Sequence, residues 1–285
     1  MKVGAAIGLA AMLGALVPAE RLLAQSPDII SRDLYEERLR QEGNRIVFCY
    51  NMAGMMAEFE QDLAREIGQA LLAEVRFETV KEGDFMVMPP PYDYRMPLSE
   101  DQIFLLMAER CDAFMGFHLS ESNPEWLLVS RPYLVAETVM VASDPDYRVV
   151  EDIPFGERLG VRMMAPGDTQ LINLVGAMPD DRRWRRGAFF NNEMLLDKLL
   201  DGSLAAGLIW EPGLYYATDG DPEAHGLYLM DAIPFPVRAV EIGIATRVQD
   251  TYLNNLLGDA ISALVADGTV TELMERHNLR PSAGG

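Results

Sequence analysis

The stretch that decides the fold is Arg110–Ser143, RCDAFMGFHLSESNPEWLLVSRPYLVAETVMVAS. Cys111 to Gly116 is a short, mostly apolar run that stops at a glycine, the pattern of a buried strand. Ser120 to Glu125 is a polar loop rich in turn formers. Arg131-Pro132-Tyr133 then leads into a second apolar run, Val135 to Ala142. Open α/β sheets place ligands beyond the C-terminal ends of their strands. Phe117, His118 and Ser120 are therefore cleft candidates.

Working outward, Arg45 to Tyr50 (RIVFCY) reads as the first strand and Asn51 to Met56 as its loop. Ala57 to Ala73 has Phe59, Leu63, Ile67 and Leu71 spaced by four, an amphipathic helix, and Val75 to Val80 alternates as a strand. This β-α-β opening predicts a parallel pair with a right-handed crossover. Lys81 to Ser99 is irregular, with Pro89-Pro90-Pro91 and the aromatics Tyr92 and Tyr94; a helix from Asp101 to Arg110 then leads into the opening stretch. Beyond a linker at Val149 to Glu157 the pattern repeats. Strands are expected at Leu159–Met163, Ala188–Phe190 and Leu204–Trp210, with helices at Thr169–Gly176 and Glu193–Asp201. Val240 to Arg247 is an apolar strand, and Asp250–Ala266 and Thr269–His277 are closing helices. Two β-α-β halves and a returning strand predict an α/β chain of two lobes, each a mixed sheet flanked by helices. Val135–Ala142 and Val240–Arg247 would be the crossing strands of the hinge. Lobe one would comprise 45–142 and 243–285, and lobe two 143–242.

A chain of 285 residues accommodates two ordinary domains. Its formal charge of −20 argues against binding nucleic-acid backbone or an anionic membrane, both of which need clustered Lys and Arg. Met1 to Ala24 reads as a cleaved signal peptide: Lys2 is the positive region, Gly4 to Val17 an uncharged apolar run, and Ala19 and Ala24 offer small cleavage residues. The run is shorter than the ~18–20 residues a spanning helix needs. The mature chain is expected in the periplasm, not inserted in the membrane, with residues 25–44 forming an N-terminal arm.

Several motifs carry a family resemblance over about Arg45 to Leu279. Gly160-Val161-Arg162 with Gly167-Asp168-Thr169, Ile244-Ala245-Thr246-Arg247 with Asp250, Ala266-Asp267-Gly268-Thr269 and His277-Asn278-Leu279 resemble solute-binding protein family 3, of the type 2 periplasmic-binding-protein-like fold. Gly202 to Trp210, then Pro212, Tyr215 and Tyr216, resemble its quinoprotein-dehydrogenase-associated branch, which Cys49 and Arg110-Cys111-Asp112 also fit. The resemblance implies a non-catalytic accessory protein whose partner is a quinoprotein (methanol or other alcohol) dehydrogenase or its cytochrome. It also allows the ligand receptor of an ABC importer for a small polar solute. A periplasmic dehydratase or lyase on the same fold is a third reading, with Glu211 as acid or base. Amino-acid receptors of the fold clamp the ligand carboxylate with an arginine shortly after the first-lobe loop. Here that loop reads SESNPEW and carries none before Arg131. Where the second-lobe aspartate would hold an ammonium, the chain has Trp210-Glu211-Pro212.

The cleft candidates are thus Asn51, Met52, Met55, Glu58, Phe117, His118, Ser120, Trp126, Asp168, Thr169, Trp210, Glu211 and Tyr215. Trp126, Tyr133, Trp210, Tyr215 and Tyr216 could serve as interface anchors. The loop methionines (Met52, Met55, Met56, Met86, Met88, Met96) read as packing or partner contacts rather than as copper ligands. His118, His225 and His277 share no zinc-ligand spacing, and no short loop gathers enough acids for a dedicated calcium or lanthanide site. No cofactor or metal is expected. Arg182, Arg183, Arg185 and Arg186 read as a solvated basic turn. An even pair of cysteines in an exported chain suggests a disulfide. If their strands are parallel neighbours, however, an offset of about three residues at ~3.3 Å each holds Cys49 and Cys111 too far apart to bridge.

Overall fold

The computed structural model describes residues 44–50, 56–79, 98–165 and 167–280. The expected signal peptide and arm, Asn51, Met52 and Met55, and Met86, Met88 and Met96 lie outside them. Arg45–Tyr50 (β1) pairs in parallel with Glu74–Thr79 (β2) on one side and Ala113–His118 (β3) on the other. Ala57–Ala70 (α1) is the crossover helix of the first pair. Val240–Arg247 (β11) lies antiparallel beside β3, and its other edge takes two short strands, Leu127–Val129 (β4) and Leu134–Ala136 (β5).

The second sheet has the order β10-β6-β9-β7-β8. Its strands are Thr138–Ala142 (β6), Arg158–Arg162 (β7), Arg185–Phe189 (β8), Ala206–Trp210 (β9) and Tyr228–Leu229 (β10). β7, β8 and β9 run parallel, while β6 is antiparallel to β9. Each sheet is packed on both faces, which is why interior strands such as β3 and β9 read as near-continuous apolar runs. The first sheet carries α1, Thr251–Ala266 (α6) and Thr269–Arg276 (α7) on one face, where Phe59, Leu63, Ile67, Leu257 and Met274 are fully buried. Its other face holds Glu100–Glu109 (α2) with Met107 and Trp126. Asp168–Gly176 (α3) and Asn192–Leu200 (α4) belong to two separate cores of the second sheet, through Leu171 and through Leu195 and Leu199. Burying each such side chain contributes about 1.5–3 kcal/mol.

The structure departs from the expected elements in four places. The run Val135–Ala142 is not one strand: it breaks at Glu137, and Thr138–Ala142, counted with lobe one from the sequence, hydrogen-bonds into the second sheet. The Glu137 carbonyl instead accepts from the Glu211 N–H at 2.9 Å. Glu211–Ala217 (α5) is a helix that the sequence reading left unassigned. Half of the basic turn is strand: Arg185 and Arg186 open β8, while Arg182 and Arg183 stay exposed against Asp181 and Asp180.

The fourth correction concerns the cysteines. Cys49 and Cys111 form a disulfide, with Cα atoms 5.7 Å apart. Strand register does not set their separation, because Cys111 precedes the strand. β3 begins at Ala113, opposite Phe48, and Cys111 still donates its N–H to the Leu106 carbonyl as the chain leaves α2. That coiled corner carries Cys111 back toward Cys49.

Candidate functional site

The strand registers fix where a cleft lies. In the first sheet the C-terminal residue of β3, His118, stands opposite Ile242, near the start of β11 where the chain returns from the second lobe. In the second sheet the C-terminal residue of β9, Trp210, stands opposite Thr138, where the chain enters. Both sets of parallel strands therefore end at the hinge. The loops beyond them, where such sheets bind ligands, converge from the two lobes.

On the first lobe this edge is formed by Gly116, Phe117 and His118, with Ser120 just beyond. Ser120 is exposed and its hydroxyl is hydrogen-bonded to that of Ser122 at 2.8 Å. Partial burial, and then the positive charge of Arg162 from the second lobe, hold the His118 imidazole below its ordinary range. Behind the edge lies a group that the sequence reading missed. Glu60 is 5% exposed and accepts a hydrogen bond from the Tyr133 hydroxyl at 3.0 Å; that hydroxyl accepts in turn from the Gly116 N–H at 3.0 Å. Burial pushes the Glu60 carboxyl up to about 7, against the opposing effect of the Tyr133 bond. Gly116 has φ +78, and a Cβ there would stand 2.6 Å from Glu60 Oε1, so glycine is required on both counts. The signal was present in α1: Ala57, Glu60, Ala64 and Ile67 follow the helical spacing of a buried arc.

On the second lobe, Arg162 ends β7, the loop to α3 follows, and Trp210 and Glu211 end β9. The candidate acids here are already occupied. Asp168 is buried and gripped by Arg186 in a two-point contact, Nε to Oδ1 at 2.7 Å and Nη2 to Oδ2 at 2.8 Å. It also accepts from the Met164 N–H. Glu211, 5% exposed, accepts from Arg280 Nη1 at 2.7 Å, and the Arg280 guanidinium lies 5.9 Å from the Tyr215 ring centroid. The Glu211 carboxylate raises the Arg280 pKa further. Because Arg280 follows α7 of the first lobe, this pair spans the lobes.

The remaining candidates divide. Thr169 and Glu58 are exposed, on the first turns of α3 and α1, and Phe117 is half-buried at the β3 end. Trp210 is half-buried and packs against the first-lobe core, and Tyr215 sits beside Arg280 on α5. Trp126 is no surface anchor: it is fully buried, edge-on to Phe104 at 5.1 Å, and donates to Glu100. Tyr133 is equally buried. Among the described residues no group of histidines, cysteines or acids could hold a metal, and no helix is long and apolar enough to cross a membrane.

No protein-family model and no curated protein matches the chain. Solved structures do match. Substrate-binding domain 2 of Lactococcus lactis GlnP aligns with a TM-score of 0.61 at 13% identity, over 84% of this chain and 97% of its own. The amino-acid ABC transporter substrate-binding protein AbpA of Streptococcus pneumoniae, bound to L-arginine, aligns at 0.53 and 17%, over 82% and 94%. An ancestral amino-acid-binding protein described as a precursor of cyclohexadienyl dehydratase aligns at 0.53 and 16%, over 82% and 95%. At these identities the likeness concerns the fold. The chain has the two-lobed α/β fold of solute-binding domains, two mixed sheets hinged where their parallel strands end.

Proposed function

We propose that the chain is a non-catalytic receptor that holds a small polar solute between its lobes and delivers it to an ABC importer. The observation that carries this reading is the convergence of both sheets' C-terminal edges at the hinge. The fold shared with substrate-binding domains of amino-acid transporters supports it. The ion pair that engages Glu211 with Arg280 weighs against the dehydratase reading. The reading as accessory to a quinoprotein dehydrogenase or its cytochrome rests on the resemblance of Gly202–Trp210 and its neighbours; two of the aromatic anchors that would support it, Trp126 and Tyr133, are fully buried, while Tyr216 is exposed.

Calorimetry with a panel of small polar solutes, beside a low-salt binding assay with a purified quinoprotein dehydrogenase, tests the proposal. Saturable one-to-one solute binding without turnover supports it. Dehydrogenase binding with no solute bound at millimolar concentration would sink it.

A further inference from the structure

The chain is acidic, with 44 Asp and Glu against 24 Lys and Arg, yet lobe two gathers arginines at one end. Arg158 opens β7 and Arg185 opens β8, and the two stand directly opposite each other in the parallel ladder. Their side chains therefore leave the same face of the sheet, from strands about 4.8 Å apart. Arg158 lies across toward β8: a Cβ on Gly187, two residues beyond Arg185, would stand 3.5 Å from Arg158 Nη2. Both arginines are exposed, and among the described residues no carboxylate pairs with either. Like charges set side by side on neighbouring strands repel. A carboxylate between them removes that cost and accepts hydrogen bonds from both guanidinium groups.

The surroundings extend the patch. Arg183 has extended backbone two residues before Arg185, and Trp184 between them turns into the core, so Arg183 joins the same side. Arg182 and Arg183 face Asp181 and Asp180, pairs that stand largely in water, and such exposed pairs exchange readily for another carboxylate. The Gly156 N–H donates to the Arg183 carbonyl at 2.9 Å. This brings Phe155, 54% exposed and tilted against the Trp184 ring at 5.4 Å, to the same end of the lobe. Arginines beside an exposed aromatic have the composition of a protein-binding surface. Charges on an edge strand also deter stray strand pairing, but β7 lies inside the sheet between β9 and β8, so Arg158 has no edge to guard.

We propose that this end of lobe two docks an acidic segment of a partner protein, whose carboxylates sit between Arg158 and Arg185 with Arg183 beside them, and whose apolar side chain covers Phe155. The surface is separate from the cleft. β7 runs from Arg158 to the hinge edge at Arg162, a span of about 13 Å at strand rise, so the patch can be occupied whatever the cleft holds. An anionic membrane fits less well, because a chain of charge −20 is repelled by an extended negative surface, whereas a short acidic segment meets only the arginines.

The test is fluorescence anisotropy with a labelled glutamate-rich peptide carrying one phenylalanine, beside flotation with phosphatidylglycerol vesicles. The peptide is expected to bind saturably at low salt, despite the net charge of the protein, and to be released as ionic strength rises toward about 0.15 M. Arg158→Gln combined with Arg185→Gln should weaken it about 5–20-fold, as expected for two exposed ion pairs. Arg148→Gln combined with Arg276→Gln removes the same two charges from exposed positions elsewhere and should leave binding nearly unchanged. Phe155→Ser should weaken binding while keeping its salt dependence. Thermal melts of the variants confirm folding. No peptide binding at low salt, an equal loss in the two double variants, or capture by the vesicles in place of the peptide would overturn the inference.

Discussion

Replacing Glu60 with glutamine should invert the usual cost of removing a buried, hydrogen-bonded charge, and pH should decide the sign. Glu60 is buried and its carboxyl is raised from 4.5 to about 7 in the folded chain, so the folded state prefers it protonated. A carboxyl raised on folding contributes stability that is complete below the unfolded pKa. That stability is lost progressively as pH rises through the folded value. Between pH 5 and pH 8, integrating the linkage for 4.5 against about 7 gives a loss of about 2.5 kcal/mol from this group alone. Glu60→Gln does not titrate, and its amide oxygen can still accept from the Tyr133 hydroxyl. The variant should therefore gain about 2.5 kcal/mol on the wild type between pH 5 and pH 8. At about 2–4 °C per kcal/mol that is roughly 5–10 °C in Tm. Taking the difference between the proteins cancels the background titration of the other acids. Denaturant melts of both at half-unit pH steps measure it. A difference that stays flat across this window would refute the reasoning, because Glu60 would then titrate alike folded and unfolded.

Other outcomes follow from the same contacts. Thiol labelling without reductant should find no free cysteine and two after reduction. Loss of the Cys49–Cys111 bond, which closes a separation of 62 residues, should cost about 4 kcal/mol on the chain-entropy estimate. Arg280→Ala leaves Glu211 buried and unpaired, and because Arg280 is half-exposed the expected cost is about 1–2 kcal/mol. Adding Glu211→Gln should recover most of it, and a melt of the double variant checks this. Gly116→Ala should destabilise by more than about 2 kcal/mol, since it combines a left-handed backbone with a Cβ driven into Glu60; a denaturant melt reads the loss. Trp126→Ala should cost about 3–5 kcal/mol as a core deletion, measurable by denaturation.

The interior strands were legible because both faces of their sheets are covered, so buried runs such as Ile242–Ala245 stand out. The break at Glu137 was harder to see: a single polar residue inside an apolar run does not say which sheet follows. At the candidate cleft edge the sequence shows which residues end the strands but not how their side chains pair. Asp168 and Glu211 do stand at the cleft edge, yet their partners lie 18 and 69 residues away, and no local pattern announces them. The disulfide was hidden from the sequence because Cys111 leaves α2 in a turn, still bonded to the Leu106 carbonyl, and not as extended strand.

The position of β11 has a bearing on the order in which the molecule can assemble. It stands between β3 and the pair β4 and β5, inside the first sheet, yet it is made after every strand of the second sheet. A nascent chain thus holds all the strands of lobe two while lobe one still lacks an interior strand and the helices α6 and α7 that cover one of its faces. Lobe two can consolidate during synthesis, whereas lobe one has to wait for the last stretch. Until then β3 offers an unpaired edge, the kind of surface on which partly made chains associate wrongly.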